Sequence, residues 1–233
     1  MALADKVAEA SGAEGVAKPS RDQIVAALLQ RHGQTYAREL GIDLDRGTPS
    51  VLFRWLCAST LLSARIGAGA AMQAARALAD QGWTTAAKMA GSTWEQRTRT
   101  LNQAGYARYD ESTSRMLGDT ADMLLAKYQG DLRRLRAAAE RDPECERALL
   151  KECKGIGDVG ADIFCREAQI VWDELFPFAD RRALETARRL GLEDDAGKLA
   201  RRVPRNDYPR LLAALVRAGL DKDVDGVLEA ARR

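Results

Sequence analysis

The sequence predicts an all-α protein. It is rich in Ala, Leu and Arg, which favour helices, and its β-branched residues do not gather into strand-like runs. Helix-opening residues recur along it, at Ser20, at Ser92 with Glu95, and at the pair Asp142–Pro143. A length of 233 residues fits one large domain or two small ones, and 46% apolar content supplies ample core.

Residues 1–18 are small, polar and glycine-dotted, and are expected to form a mobile segment or a loose first helix. Ser20 caps a helix running to about His32, with Ile24, Ala27 and Leu28 on one face. A short helix around Thr35–Leu40 and a turn through Gly41–Gly47 follow. Pro49 starts the helix Val51–Ala64. Its Leu52, Trp55, Leu56, Leu61 and Leu62 make it apolar on nearly every side, as a central buried helix would be. Gly67–Gly82 is amphipathic and Thr84–Ala90 is short. Ser92 and Glu95 form a capping box for a helix reaching about Gln103. Asp110–Gln129 is long, Asp131–Arg141 is shorter, and Asp142 with Pro143 opens the next helix. Beyond Gly191 the helices are Asp194–Val203, Asp207–Ala218 and Asp221–Arg233. There is no repeat and no low-complexity tract.

The stretch Leu149–Gly191 organises the chain. It reads as helix, glycine hairpin, helix, Pro-interrupted loop and a third helix beginning after Asp180. Gly155 and Gly157 around Ile156 permit a sharp reversal. Such a turn leaves backbone N–H groups at the start of the next helix, where the dipole favours an anion. A phosphate grip followed about 25 residues later by one carboxylate suits holding a nucleic acid strand and working on a sugar carbon.

This segment resembles the helix-hairpin-helix region of the endonuclease III-like DNA glycosylase superfamily. The residues that carry the resemblance are Gly155, Ile156, Gly157, Ala161, Asp180, Arg188 or Arg189, Leu190 and Gly191. Cys153 and Lys154 stand where that family has Leu and Pro. Leu61, Leu62 and Ser63 also match a family loop that enters DNA at the damaged site, with Arg65 in place of a glutamine. Gly105 and Tyr106 match a further pair. The resemblance covers about 51–191 and is strongest over 149–191.

It implies a two-lobed helical glycosylase fold. One lobe would span 48–168 and end in the hairpin motif; the other would combine 1–47 with 169–233. It further implies DNA contacts by Gly155, Ile156, Gly157, Lys154, Arg65 and Ser63. Tyr106, beside Tyr109, is a candidate for stacking on a base. Asp180 would stabilise the positive charge left on the sugar and orient or deprotonate water. Bifunctional relatives carry a nucleophilic lysine two residues after the second hairpin glycine; here that residue is Val159, so no Schiff base is expected. Lys151 and Lys154 lie on the other side of the hairpin. Asp158 would repel a gripped phosphate unless it turns back to cap its own helix or Lys154 offsets it.

The residues also allow plainer roles. Asp180 suits a helix N-cap, and Arg65 a helix C-terminal complement to the dipole. His32, the only histidine, reads as an exposed cap; Trp55, Trp83, Trp94 and Trp172 read as packing residues. Tyr106 and Tyr109 equally suit packing between the lobes.

Composition narrows the classes. A net charge of +2 gives no polycation signal, but the charge is uneven. Residues 181–233 hold 13 basic and 9 acidic residues, and residues 131–180 hold 8 and 12. Arg201, Arg202 and Arg205 cluster near one turn. Cys57, Cys145, Cys153 and Cys165 form no CxxC pair, so zinc is not expected. Many members of the family it resembles carry an iron–sulfur cluster on four cysteines near the C-terminus; with no cysteine after Cys165, the resemblance implies no cluster here, and no other cofactor is expected. Buried, reduced thiols are the default. With no signal peptide and no long apolar span, a cytoplasmic monomer free of membranes is expected.

The sequence therefore predicts a monofunctional DNA N-glycosylase that acts on double-stranded DNA carrying a damaged or mispaired base. The alternatives are a non-catalytic helix-hairpin-helix DNA-binding protein and a helical interaction module. The non-catalytic reading gains if Asp180 is a buried cap with no open cleft beside it.

Overall fold

The computed structural model describes residues 18–233, and the expectation for residues 1–17 lies outside the described residues. Among the described residues the chain is helical, with no strand. The first helices are α1 (Arg21–His32), α2 (Tyr36–Glu39), α3 (Pro49–Ser63), α4 (Ala68–Asp80), α5 (Ala86–Ala90), α6 (Trp94–Gln103) and α7 (Asp110–Tyr128). They are followed by α8 (Leu132–Ala138), α9 (Pro143–Lys151), α10 (Asp158–Ala168), α11 (Arg181–Arg189), α12 (Ala196–Ala200), α13 (Tyr208–Leu220) and α14 (Val224–Ala230). None of them is long and apolar enough to cross a membrane.

Local chemistry opens most of these helices. Ser20 accepts from the Gln23 N–H while the Gln23 side chain accepts from the Ser20 N–H, a reciprocal box that starts α1. Asp142 accepts from the Cys145 N–H and Pro143 occupies the first turn of α9. The box that opens α6 lies one residue later than its sequence pattern suggests, at Thr93 with Gln96. Ser92 is drawn into the preceding turn instead. Its hydroxyl donates to the Met89 carbonyl, and its carbonyl accepts from Arg97 Nη1 at 2.6 Å.

The central position of α3 follows from its composition. Leu52, Trp55, Leu56 and Leu61 are fully buried, and α4, α8 and α10 pack against it. The Trp55 indole N–H donates to the Phe164 carbonyl at 3.1 Å and ties α3 to α10. Helices α5 and α6 pack on α7, and α4 on α6. Separately, α13 packs on α1 and α11, and α14 on α1. Helix α10 touches both α3 and α13 and joins the two sets.

Trp55 and Trp172 are core residues, and Trp83 and Trp94 are half-buried. His32 is not an exposed cap: its Nε2 lies 2.7 Å from Asp223 Oδ2, so the ring ties α1 to the start of α14. Three cysteines are buried and their thiols are pushed well up by burial, Cys153 and Cys165 to about 12. Cys145 departs from the expectation and is exposed, because it lies on the solvent side of α9's first turn.

Helix α2 is capped across the fold. The buried Glu167 carboxylate accepts from the Tyr36 and Ala37 N–H groups, both at 2.9 Å. Burial pushes this carboxyl up to about 6 from 4.5. Between those values the folded chain holds a proton that the unfolded chain has released. The contribution is full below pH 4.5 and is lost as pH rises through 6. The loss is expected to be about 2 kcal/mol. Glu167→Gln should flatten this dependence and leave one N–H without an acceptor; urea denaturation of both proteins at several pH values checks it.

Candidate functional site

The hairpin between α9 and α10 is built by its two glycines in different ways. Gly155 has φ of +86°, and a Cβ there would meet Thr60 Cγ2 at 2.9 Å and Met116 Sδ at 3.0 Å. Ile156 between them is buried and anchors the turn, and the Lys154 carbonyl accepts from the Thr120 hydroxyl at 3.1 Å. Gly157 is extended, and a Cβ there would have nothing within 4 Å. No side chain caps α10, and the N–H groups at its start are free of partners among the described residues. Gly157, Asp158 and Val159 are exposed, so these donors lie at the surface.

Two substitutions separate these roles. Gly155→Ala is expected to destabilise the fold by about 1–3 kcal/mol through backbone strain and crowding. Gly157→Ser is expected to leave stability unchanged or raise it by about 0.3 kcal/mol, because a serine hydroxyl at the N-cap satisfies an open N–H. Denaturant midpoints of the two variants check this.

Asp158 does not cap α10: it forms a salt bridge at 2.9 Å to Lys151 of α9, and Lys154 does not pair with it. The pairing holds its carboxyl below the usual range. Lys154 forms no ion pair among the described residues.

Beside the hairpin lies a cleft of about 830 Å³. One wall is the face of α10 that carries Val159, Asp162, Ile163 and Arg166, spaced as one helical stripe. The facing rim is the α3–α4 link, including Ser63 and Arg65. Asp180, Arg181 and Arg182 at the start of α11 close the floor. Arg65 is exposed and forms no ion pair among the described residues, while the Ser63 hydroxyl donates to the Thr60 carbonyl at 2.8 Å. Val159 is exposed and carries no nucleophile. Among the described residues no lysine lines the cleft.

Asp180 is 4% exposed. Its Oδ1 accepts from the Arg182 and Ala183 N–H groups at 3.0 and 3.3 Å, which makes it the N-cap of α11. Its Oδ2 accepts from Arg166 Nε at 2.6 Å. Arg166 is as buried as its partner, and the sequence had not singled it out. Asp180 is thus a cap and half of a buried ion pair, and it also borders an open cleft.

Asp162 lies 2.7 Å from Arg147 Nη2. Burial raises its carboxyl and Arg147 opposes the rise. Tyr106 has no place at the cleft. It is fully buried, its hydroxyl donates to the Leu61 carbonyl at 3.2 Å, and neither ring face is open to a base. Its aromatic neighbour is Tyr109, 6.4 Å away between centroids. The expectation of stacking on a base is corrected to a core role set by its position under α3.

No family model and no curated protein matches the chain. Among solved structures, the chain is similar to one described as "Structure of a Trapped Endonuclease III-DNA Covalent Intermediate: Estranged-Adenine Complex". The identity is 16%, the TM-score 0.48, and 85% of each chain is covered. A likeness at this level transfers neither a site nor an activity.

Proposed function

We propose that this chain is a monofunctional DNA N-glycosylase of base-excision repair. It meets double-stranded DNA as a single copy in the cytoplasm, takes a damaged or mispaired base into the cleft, and hydrolyses its N-glycosidic bond. One observation carries the reading. Ser63 and Arg65, Val159 at the start of the hairpin helix, and Asp180 are far apart in sequence and border one cleft of about 830 Å³. That volume accommodates a nucleotide.

Each part has a physical task. The free N–H groups at the start of α10 hold a backbone phosphate, with Lys154 adding charge. Arg65 on the opposite rim fills the gap left by the extruded base, since its planar fork both stacks and donates. Asp180 faces the positive charge that grows on the sugar as the bond breaks. Because its oxygens are held by Arg166 and two backbone N–H groups, the carboxylate is fixed in place and acts through its field rather than by swinging onto water. With Val159 in the lysine position and no lysine on the cleft, the reaction stops at the abasic site. The two packed sets of helices, 48–168 and 18–47 with 169–233, serve as the lobes that flank the cleft.

A second reading is favoured by the occupied oxygens of Asp180: a DNA-binding protein that keeps the hairpin and lacks chemistry. Duplexes carrying a panel of damaged and mispaired bases separate the two. The glycosylase reading expects strand breaks only after hot alkali and no borohydride-trapped adduct. Binding without breaks on every duplex would favour the second reading, and breaks without alkali would overturn the monofunctional one. In either case Gly157→Ser is expected to weaken DNA binding several-fold, since its hydroxyl occupies the N–H that a phosphate would take.

A further inference from the structure

Resting on the glycosylase reading, we infer that Arg166 is the residue that selects the base, and that the base is a 6-oxopurine. Arg166 is 3% exposed and lines the cleft. Its Nε is spent on Asp180, while its two terminal nitrogens bond no other group among the described residues and are not enclosed, so they open on the cleft. A base that enters the cleft displaces water from this open end and must supply acceptors in its place, because a donor left unmet on binding costs free energy.

The surroundings do not supply them. Asp180 is used by Arg166 Nε and by the Arg182 and Ala183 N–H groups, and Asp162, one turn earlier on α10, is paired with Arg147. The open end of Arg166 therefore presents two parallel N–H donors and no acceptor. The complementary partner has two adjacent acceptors, as do O6 and N7 of hypoxanthine, xanthine or guanine. Adenine offers one acceptor beside an amino donor, which would face a donor.

Distance agrees with a nucleotide bound along α10. Val159 and Arg166 are seven residues apart on one face, about 10 Å along the helix axis. A phosphate at the start of α10 thus places its base at the depth of Arg166.

The test uses the full chain and duplexes whose target nucleotide carries a 2′-fluorine, which blocks loss of the base and isolates binding. Four target bases are compared: hypoxanthine, 7-deazahypoxanthine, mispaired adenine and uracil. Hypoxanthine is expected to bind best, by about tenfold over adenine and several-fold over the 7-deaza base. In Arg166→Lys, which keeps a charge beside Asp180 and loses the fork, the preference is expected to shrink to about threefold or less. A merely structural role would weaken all four duplexes alike and leave the order intact.

Equal binding of the four bases by the unaltered chain overturns the inference, as does a preference that survives in folded Arg166→Lys. Should that variant not fold, the 7-deaza comparison decides. Unfluorinated duplexes separate this inference from the reading beneath it. Excision of other bases without a hypoxanthine preference removes the inference alone. A hypoxanthine preference in binding with no excision of any base removes the glycosylase reading alone.

Discussion

Asp180→Asn is expected to slow base excision by about 10²- to 10³-fold, the scale of losing one preorganised electrostatic group. DNA binding should persist, because the hairpin and Arg65 are untouched. Asparagine is also a good N-cap, so α11 keeps its start. What the substitution removes is the negative charge beside the sugar. It also leaves the Arg166 guanidinium, bound at 2.6 Å in the parent chain, facing a neutral amide in a buried place. A loss of about 3 kcal/mol in stability should therefore accompany the loss of rate. Single-turnover excision and a denaturant midpoint on the same preparation check both. A rate within a few-fold of the parent would remove Asp180 from the chemistry.

The second large effect concerns the ion pair itself. Both side chains are almost wholly buried, at 4% and 3% exposure. Breaking such a pair from one side strands a charge and is expected to cost about 3–5 kcal/mol, for Arg166→Gln as for Asp180→Asn. Replacing both leaves two neutral amides, one of which still caps α11. The double variant is expected to be more stable than the sum of the single losses implies, by about 1–3 kcal/mol. Urea denaturation of the four proteins closes this cycle. Additive losses would mean that the two residues contribute separately, Asp180 as a cap and Arg166 by packing.

What the sequence discloses and what it hides divide by range. Ser20, Asp142 and Asp180 are legible as helix starts because a cap acts over two or three residues. The requirement for glycine at Gly155 is legible as a reversal, although the walls that enforce it, Thr60 and Met116, are not. The box at Thr93 and Gln96 is displaced by one residue from Ser92 and Glu95 because the Ser92 hydroxyl is spent on the Met89 carbonyl of the preceding turn, which leaves the Thr93 hydroxyl as the cap. Tyr106 shows the limit of local reading: Gly105 and Ala107 beside it carry no burial signal, and only its place beneath α3 buries it.

Arg166 was hidden for a related reason. Its partner lies across a loop, and in sequence it is one more charged residue between Cys165 and Glu167. A signal was nevertheless present. Val159, Ile163 and Arg166 share a helical stripe with Asp162, so two charges fall on a face that also carries apolar residues. Glu167 is similar, a buried carboxylate whose purpose is visible only once α2 is beside it.

The central claim is that Asp180, at the floor of the cleft, supports hydrolysis of a glycosidic bond. The most direct measurement is mass-spectrometric detection of the free base and of the strand left behind, after incubating damaged duplexes with the unaltered chain and with Asp180→Asn. The account predicts free base together with an intact abasic strand, both lost in the variant. Duplexes that bind tightly yet release no base, or that release it equally with Asp180→Asn, would contradict it.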